Sequence, residues 1–280
     1  MKVIGVTGGK GGTGKSTLAT ALAVELAKQN KVLLVDADVE CPNDHLLLNI
    51  ERKEIKKVMQ RIPLFEFKEN KDYSNLAEIC EYNAIVSIKG KKPVFIQTQC
   101  NGCGACMIAF PDVVKKWNKK ELGKIYYGNN HKIDFLSGEL KINEPLSERI
   151  VEEILEIVEN KKENYDYVVI DTAAGTHCDV ISSLDYCDFI LAVTEPSPLG
   201  EHDAELIIKL AIRMKKPFEV ILNRYEKNDI MIKNMLKKYN KEIYVRIPYK
   251  KEIMEAYSKG IPIKDDSIKQ IVKGIKNELK

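Results

Sequence analysis

No apolar run in this 280-residue chain is long enough to span a bilayer, and no charged, apolar leader opens it, so the expected compartment is the cytoplasm. An excess of one charge is missing too. Lys and Arg number 44 against 41 Asp and Glu, a net +3, which gives no electrostatic reason to expect nucleic acid or an anionic surface as a partner. Cysteine is too sparse for a disulfide scaffold, which belongs to short secreted chains. Low-complexity linkers are absent, so the chain reads as folded throughout. What is present is 44% hydrophobic and 30% charged residues, enough for one large core and a small one.

The cysteines carry a pattern. Cys100, Cys103 and Cys106 open a C-x-x-C-x-x-C-x-x-x-C-P run in which Phe110 replaces the last cysteine and Pro111 follows it. In bacterial ferredoxin runs the fourth cysteine ligates the other cluster, so a counterpart is needed upstream, and Cys80 supplies it. Counting back from Cys80 at the same spacing gives Leu76, Tyr73 and Asn70, none a thiolate. One complete ligand set is lost and the other, Cys80, Cys100, Cys103 and Cys106, is whole. The pattern predicts one [4Fe–4S] cluster. Structural zinc prefers paired C-x₂₋₄-C knuckles, which a third cysteine at this spacing disturbs. Three unrelated buried thiols would not explain Gly102 and Gly104, which let amides turn toward the sulfurs. Cys41, Cys178 and Cys187 read by default as buried small hydrophobes.

The start of the chain carries a second motif. Val3 to Thr7 is a short apolar strand, and Gly9-Lys10-Gly11-Gly12-Thr13-Gly14-Lys15-Ser16 fits G-x₄-G-K-[ST]. A helix with Leu18, Leu22 and Leu26 on one face follows. Strand, Gly-rich turn and helix are the context a P-loop requires. Amides of Gly11, Gly12, Thr13 and Gly14 would wrap phosphates at the helix N-terminus. Lys15 would reach the β/γ-phosphates, Ser16 would ligate Mg²⁺, and Thr17 would donate toward the α-phosphate.

Lys10 makes the loop K-G-G-x-G-K-S, which resembles the deviant Walker A of the MinD/Mrp/nitrogenase-iron-protein (SIMIBI) P-loop ATPases. Further segments carry the resemblance: Lys31 to Asp38, Tyr167 to Asp171, Thr172 to His177 and Val193 to Asp203. It implies that Lys10 crosses a dimer interface to the partner's nucleotide, as an arginine finger does. It gives Asp38 the attacking water, Asp36 and Asp171 the Mg²⁺, Gly175 a γ-phosphate contact, Asn223 the adenine, and Pro248 a place beside the base. Ala173 and Ala174 depart from the prolines usual before that glycine.

The resemblance extends to MinD-like ATPases with an inserted ferredoxin domain. It implies an α/β fold, a mostly parallel sheet covered by helices on both faces, with a small ferredoxin-like α+β insert. The expected division is an ATPase core over 1–56 and 129–280 around an insert over 57–128. Helices are expected over 147–164, 203–215, 229–239, 250–259 and 266–279, between strands 167–171, 189–194, 218–223 and 243–247. The implied activity is slow ATP hydrolysis on dimerisation, with a like or paralogous subunit. The nucleotide state would gate electron transfer or docking of a redox or iron–sulfur partner. A cluster carrier and a MinD-like positioning switch are the alternatives. Cys178 is either one ligand of a bridging cluster or a plain thiol. The apolar stripe Ile268, Ile271, Val272, Ile275 and Leu279 either docks on the sheet or, among its lysines, meets a membrane.

Overall fold

The computed structural model describes residues 1–68, 73–88 and 91–279. Alternation of apolar strands with amphipathic helices produces one large sheet whose central strands are buried on both faces. In chain order the elements are β1 (Lys2–Gly8), α1 (Lys15–Leu26), β2 (Val32–Asp36), α2 (Asp44–Leu47), β3 (Arg52–Phe65), α3 (Ser74–Glu78), β4 (Ile85–Val86), β5 (Val94–Phe95), α4 (Ala105–Ala109), β6 (Val114–Asn130) and β7 (Ile133–Leu140). There follow α5 (Ser147–Asn160), β8 (Tyr167–Ala174), α6 (Cys178–Asp185), β9 (Phe189–Thr194), α7 (Pro198–Arg213), β10 (Phe218–Tyr225), α8 (Ile230–Lys237), β11 (Ile243–Pro248), α9 (Lys251–Ser258) and α10 (Asp266–Glu278).

The large sheet runs β11-β10-β9-β1-β8-β2-β7-β6-β3. From β11 to β7 every pairing is parallel, and only β6 and β3 are antiparallel additions. Strand β1 therefore sits inside the sheet, between β8 and β9, and delivers the Gly-rich loop to the C-terminal edge where ligands of open α/β sheets bind. Side-chain alternation sends Ile4, Val6, Leu34 and Val169 to one face, where α1 and α10 cover them. Leu33, Val35, Val168 and Ile170 go to the other face under α5. Further along that face, Ile190, Ala192, Val220 and Leu222 lie under α6, α7 and α8. The expected C-terminal stripe docks: Ile268, Ile271 and Ile275 are buried against α1 and the sheet, with Val272 and Leu279 packed at the margin.

Two elements differ from expectation. Helix α7 starts at Pro198, five residues before the expected 203. Pro198 and Gly200 look like breakers, but proline suits the first helical turn, and the Ser197 hydroxyl caps it by accepting from the Gly200 amide at 3.0 Å. The expected helix over 147–164 ends at Asn160 and continues as a 3₁₀ turn over Lys162–Asn164.

The segment between β2 and β7 is dominated by a long ribbon. Strand β6 pairs with β7 from Gly123 to Asn130, through a turn in which His131 and Lys132 take φ of 50° and 64°. Positive φ at both central residues is what a tight right-twisted hairpin requires. The other half of β6, Val114 to Glu121, pairs with β3 alone, so Met59–Phe65 and Val114–Glu121 form a two-stranded extension. The expected boundaries at 57 and 128 fall inside β3 and β6. The short elements α3, β4, β5 and α4 lie between these strands and close a small core of Tyr73, Leu76, Ile85 and Val113. Among the described residues, no helix is long and apolar enough to cross a membrane.

Candidate nucleotide and metal site

The loop after β1 is shaped by backbone that only glycine adopts easily. Gly12 and Gly14 have φ of 79° and 94°, and a Cβ on Gly14 would lie 2.1 Å from the Asn223 side-chain nitrogen. That nitrogen donates to the Thr13 carbonyl at 2.8 Å. Asn223, expected to read adenine, thus pins the loop with its amide and lines the adjoining cleft. The cleft, of about 800 Å³, is bounded by Gly12, Gly14, Lys15, Ser16 and Thr17 on one side and by Asn223, Pro248, Tyr249, Ile253 and Tyr257 on the other. Pro248, expected beside the base, lines this cleft. Gly11 is exposed and open on its Cβ side.

Lys15 is buried and donates to the Lys10 carbonyl at 3.3 Å, which curls the loop around its own ammonium. The Ser16 hydroxyl donates to Asp171 Oδ2 at 2.6 Å, joining the start of α1 to the end of β8. Asp36 ends β2 beside Asp171 in parallel register. Its Oδ2 accepts from the Asn43 and Asp44 amides at 2.9 and 3.1 Å, and its Oδ1 from the Asp38 amide at 3.2 Å. Ligand oxygens of Asp36, Asp44 and Asp171 all lie within 4.8 Å of one another. Burial, then mutual repulsion, pushes Asp36 and Asp44 well above the ordinary carboxylate range. Burial raises Asp171 to about 7, with the Ser16 hydroxyl and Lys15 opposing it. A site of this composition, all oxygen and strongly anionic, fits a hard divalent cation.

Asp38 stands apart from those three. It accepts from the Cys41 amide at 3.3 Å, and burial raises it while Lys15 pulls it down. Lys10 turns away from the loop: its ammonium bonds Glu195 Oε1 at 2.6 Å, while Arg224 holds Glu195 Oε2 at 3.1 Å. The Gly175 amide, expected at the γ-phosphate, donates instead to the Gly8 carbonyl at 3.1 Å. Gly175 has φ of 93°, a conformation that favours glycine.

The chain as a whole matches known proteins. The family described as the CobQ/CobB/MinD/ParA nucleotide binding domain matches residues 4–263. The chain belongs to this family. It is 37% identical over 261 residues to an uncharacterised protein of Methanocaldococcus jannaschii, covering 93% of this chain and 90% of the relative. The chain is also similar to the iron–sulfur cluster carrier protein of Rickettsia conorii, 24% identical over 94% of this chain and 66% of the carrier. The septum site-determining protein MinD of Pyrococcus horikoshii, solved with Mg-ADP, superposes with a TM-score of 0.62 at 19% identity, over 99% of this chain and 97% of MinD. The fold is that of the MinD/ParA P-loop ATPases, and the matched family is one of nucleotide binding domains.

The cysteines of the family member occupy a second place. Cys80, Cys100, Cys103 and Cys106 line one small cavity together with Pro63, Ala84 and Phe95. The Ala84 amide points at Cys80 Sγ at 3.3 Å and the Gly102 amide at Cys100 Sγ at 3.4 Å. A Cβ on Gly102 would lie 2.4 Å from the Arg61 carbonyl, and Gly104 sits against Trp117, so the cysteine loop rests on the β3–β6 extension. The four sulfurs do not converge on one point. Among the described residues, the three aspartates are the only set whose ligand atoms all fall within 4.8 Å. Tyr73 and Leu76, at two lost ligand positions, are buried in the adjacent core with Phe110 at its edge, while Asn70 lies outside the described residues.

Of the remaining thiols, Cys187 is buried as expected and bonds the Ser183 carbonyl. Cys41 and Cys178 are exposed instead, Cys41 in the bend after β2 and Cys178 in the first turn of α6. Asp44, Glu195 and Arg224 were not singled out by sequence for roles here. The signal for Asp44 is an acid just before the apolar Leu46-Leu47-Leu48 stretch. Its partners come from two other strands, which only the topology brings together.

Proposed function

We propose that this protein is an ATP-hydrolysing switch carrying one [4Fe–4S] cluster on an inserted ferredoxin-like unit. The observation that supports it is the gathering of Cys80 with Cys100, Cys103 and Cys106 on one cavity at the β3–β6 extension, whose other end belongs to the sheet that carries the P-loop. A cubane binds its thiolates at four separate corners. Sulfurs that share a cavity without meeting at a point, with amides aimed at two of them, suit that group better than a single ion. The cluster would supply one-electron transfer.

The chain's own residues provide the nucleotide chemistry. The amides of Gly11 to Gly14 and the Lys15 ammonium bind phosphate oxygens, Thr17 donates to the α-phosphate, and Ser16, Asp36 and Asp171 hold Mg²⁺. Pro248 and Asn223 bound the base. Asp38 orients the attacking water and takes its proton. Gly175 exchanges its Gly8 carbonyl for the γ-phosphate, moving the loop before α6. Lys10 leaves Glu195 and reaches the partner subunit's phosphates, so that a dimer, of like or paralogous chains, is the hydrolytic unit. Similarity to the Rickettsia carrier supports a second reading, in which ATP loads or releases a cluster destined for another protein.

The test is iron and sulfide content. Anaerobically purified protein should hold about four of each per chain, as cross-wise ligation requires. Cys80→Ala should lose as much as Cys103→Ala. Full iron and an unchanged reduced-state spectrum in Cys80→Ala would remove the pairing on which the reading rests.

A further inference from the structure

Asp44 has no part in the nucleotide chemistry proposed above, yet it is the most completely buried carboxylate at the site. Its exposure is 0%, and neither side-chain oxygen has a hydrogen-bond partner among the described residues. It projects toward Asp36 and Asp171, with ligand oxygens of all three within 4.8 Å. Asp171 Oδ1 is likewise buried and unpartnered, while Oδ2 takes the Ser16 hydroxyl. Asp36 differs, since backbone amides of Asp38, Asn43 and Asp44 satisfy it and fix it against the loop after β2. A buried carboxylate that lacks any donor is tolerated in a fold when a cation or a proton answers it.

The spacing suits a cation. In an octahedral shell, oxygens opposite one another are about 4.2 Å apart around Mg²⁺ and about 4.8 Å around Ca²⁺. The magnesium of a nucleotide enzyme ordinarily takes one or two carboxylates and depends on substrate phosphates for the rest. Three carboxylates and a hydroxyl need no phosphate to outweigh the cation's hydration. The positive charge nearest to oppose it is Lys15, which acts on Asp44 and Asp171 but is engaged by the Lys10 carbonyl at 3.3 Å.

We propose that Asp36, Asp44 and Asp171, with Ser16, form a divalent-cation site that loads before nucleotide, and that Asp44 makes it independent of phosphate. The inference rests on Asp36 and Asp171 being the magnesium side of the nucleotide site. It adds an order of events: the cation binds first and ties the loop after β2 to the end of β8, and ATP then meets a site already charged.

The experiment is a Mn²⁺ titration of nucleotide-free protein, followed by the loss of the free-ion paramagnetic signal. Wild type should bind one Mn²⁺ at the trio, displaced by excess Mg²⁺. Asp44→Asn should weaken that binding by about tenfold or more, while with ATP present the two proteins should differ by less than about threefold. Lys15→Ala, which loses ATP, should keep its Mn²⁺. In chelator, Asp44→Asn should melt no lower than wild type, because it removes a buried carboxyl group that has no hydrogen-bond partner there. The inference is overturned if nucleotide-free wild type binds no Mn²⁺, if Asp44→Asn binds it equally, or if that variant melts well below wild type in chelator. Wild type that binds ATP normally but no Mn²⁺ without it would sink this inference alone. Loss of ATP binding in wild type would instead sink the nucleotide reading.

Discussion

At the scale of single residues, the site separates three tasks that carboxylates of similar sequence context could share. The side chain of Asp36 is spent on backbone amides, that of Asp171 on the Ser16 hydroxyl, and that of Asp38 on the amide of Cys41. Only Asp38 combines a raised proton affinity with a place outside the buried trio, as a group handling the attacking water requires. Asp38→Ala should therefore bind Mg-ATP within about threefold of wild type but lower its turnover by about 10²-fold or more, the scale of losing a proton-transfer group. Lys15→Ala should fail earlier, at binding, since it removes the charge-assisted partner of the phosphates. Isothermal titration and a phosphate-release assay on the two variants check both; equal turnover in Asp38→Ala and wild type would reassign the water. The P-loop was legible because its chemistry is contiguous: glycines, lysine and hydroxyl follow one another in eight residues. Asp44 was not, because a lone acid near a leucine run acquires meaning only when parallel pairing of β2 with β8 brings Asp171 to it. Lys10 was legible as a cation but not in its resting partner. Glu195 stands in the Val193 to Asp203 segment, which carries the family resemblance without giving Glu195 a role.

At the scale of elements, apolar period and length located most strands of the parallel sheet, and the misses share a cause. Strands β3 and β6 are rich in Lys, β3 is largely exposed and β6 largely half-buried, and both lack the run of buried residues that marks β1, β2 or β9. Their pairing is long-range and their faces are wet, so neither hydrophobic period nor turn residues betray the extension. Helix α10 is the opposite case. Its stripe predicted a buried face without saying what would bury it, and α1 with the sheet supplies the answer. Ile271 is 0% exposed in that contact, so Ile271→Ala should cost about 3 kcal/mol by removing a packed side chain and leaving a cavity. Urea denaturation checks the loss. A variant as stable as wild type would mean that α10 is peripheral and that its stripe is free to serve another surface.

At the scale of the whole molecule, the architecture separates a nucleotide edge from a cysteine-lined cavity and links them through one sheet. Lys10 is restrained in cis by Glu195, itself held by Arg224. The ion pair is partly exposed, with side-chain exposures of 25% and 14%, so its net worth is small. A partner's phosphates in a water-poor interface can outbid it. Mg-ATP with the Asp38→Ala protein should therefore give a dimer by light scattering, while Asp38→Ala combined with Lys10→Ala should bind nucleotide yet remain largely monomeric. Equal dimerisation of the two proteins would show that Lys10 does not join the subunits; a paralogous partner calls for the same comparison in its presence.

The central claim is that the nucleotide state of the P-loop reaches the cysteine cavity. Its most direct measurement is the rate at which an iron chelator strips the anaerobic Asp38→Ala protein, with and without Mg-ATP. Because this variant is expected to hold ATP without consuming it, the comparison isolates nucleotide state from turnover. The account predicts that ATP changes the rate several-fold, and that adding Lys10→Ala abolishes the change. Identical rates with and without ATP, at saturating nucleotide, would contradict it.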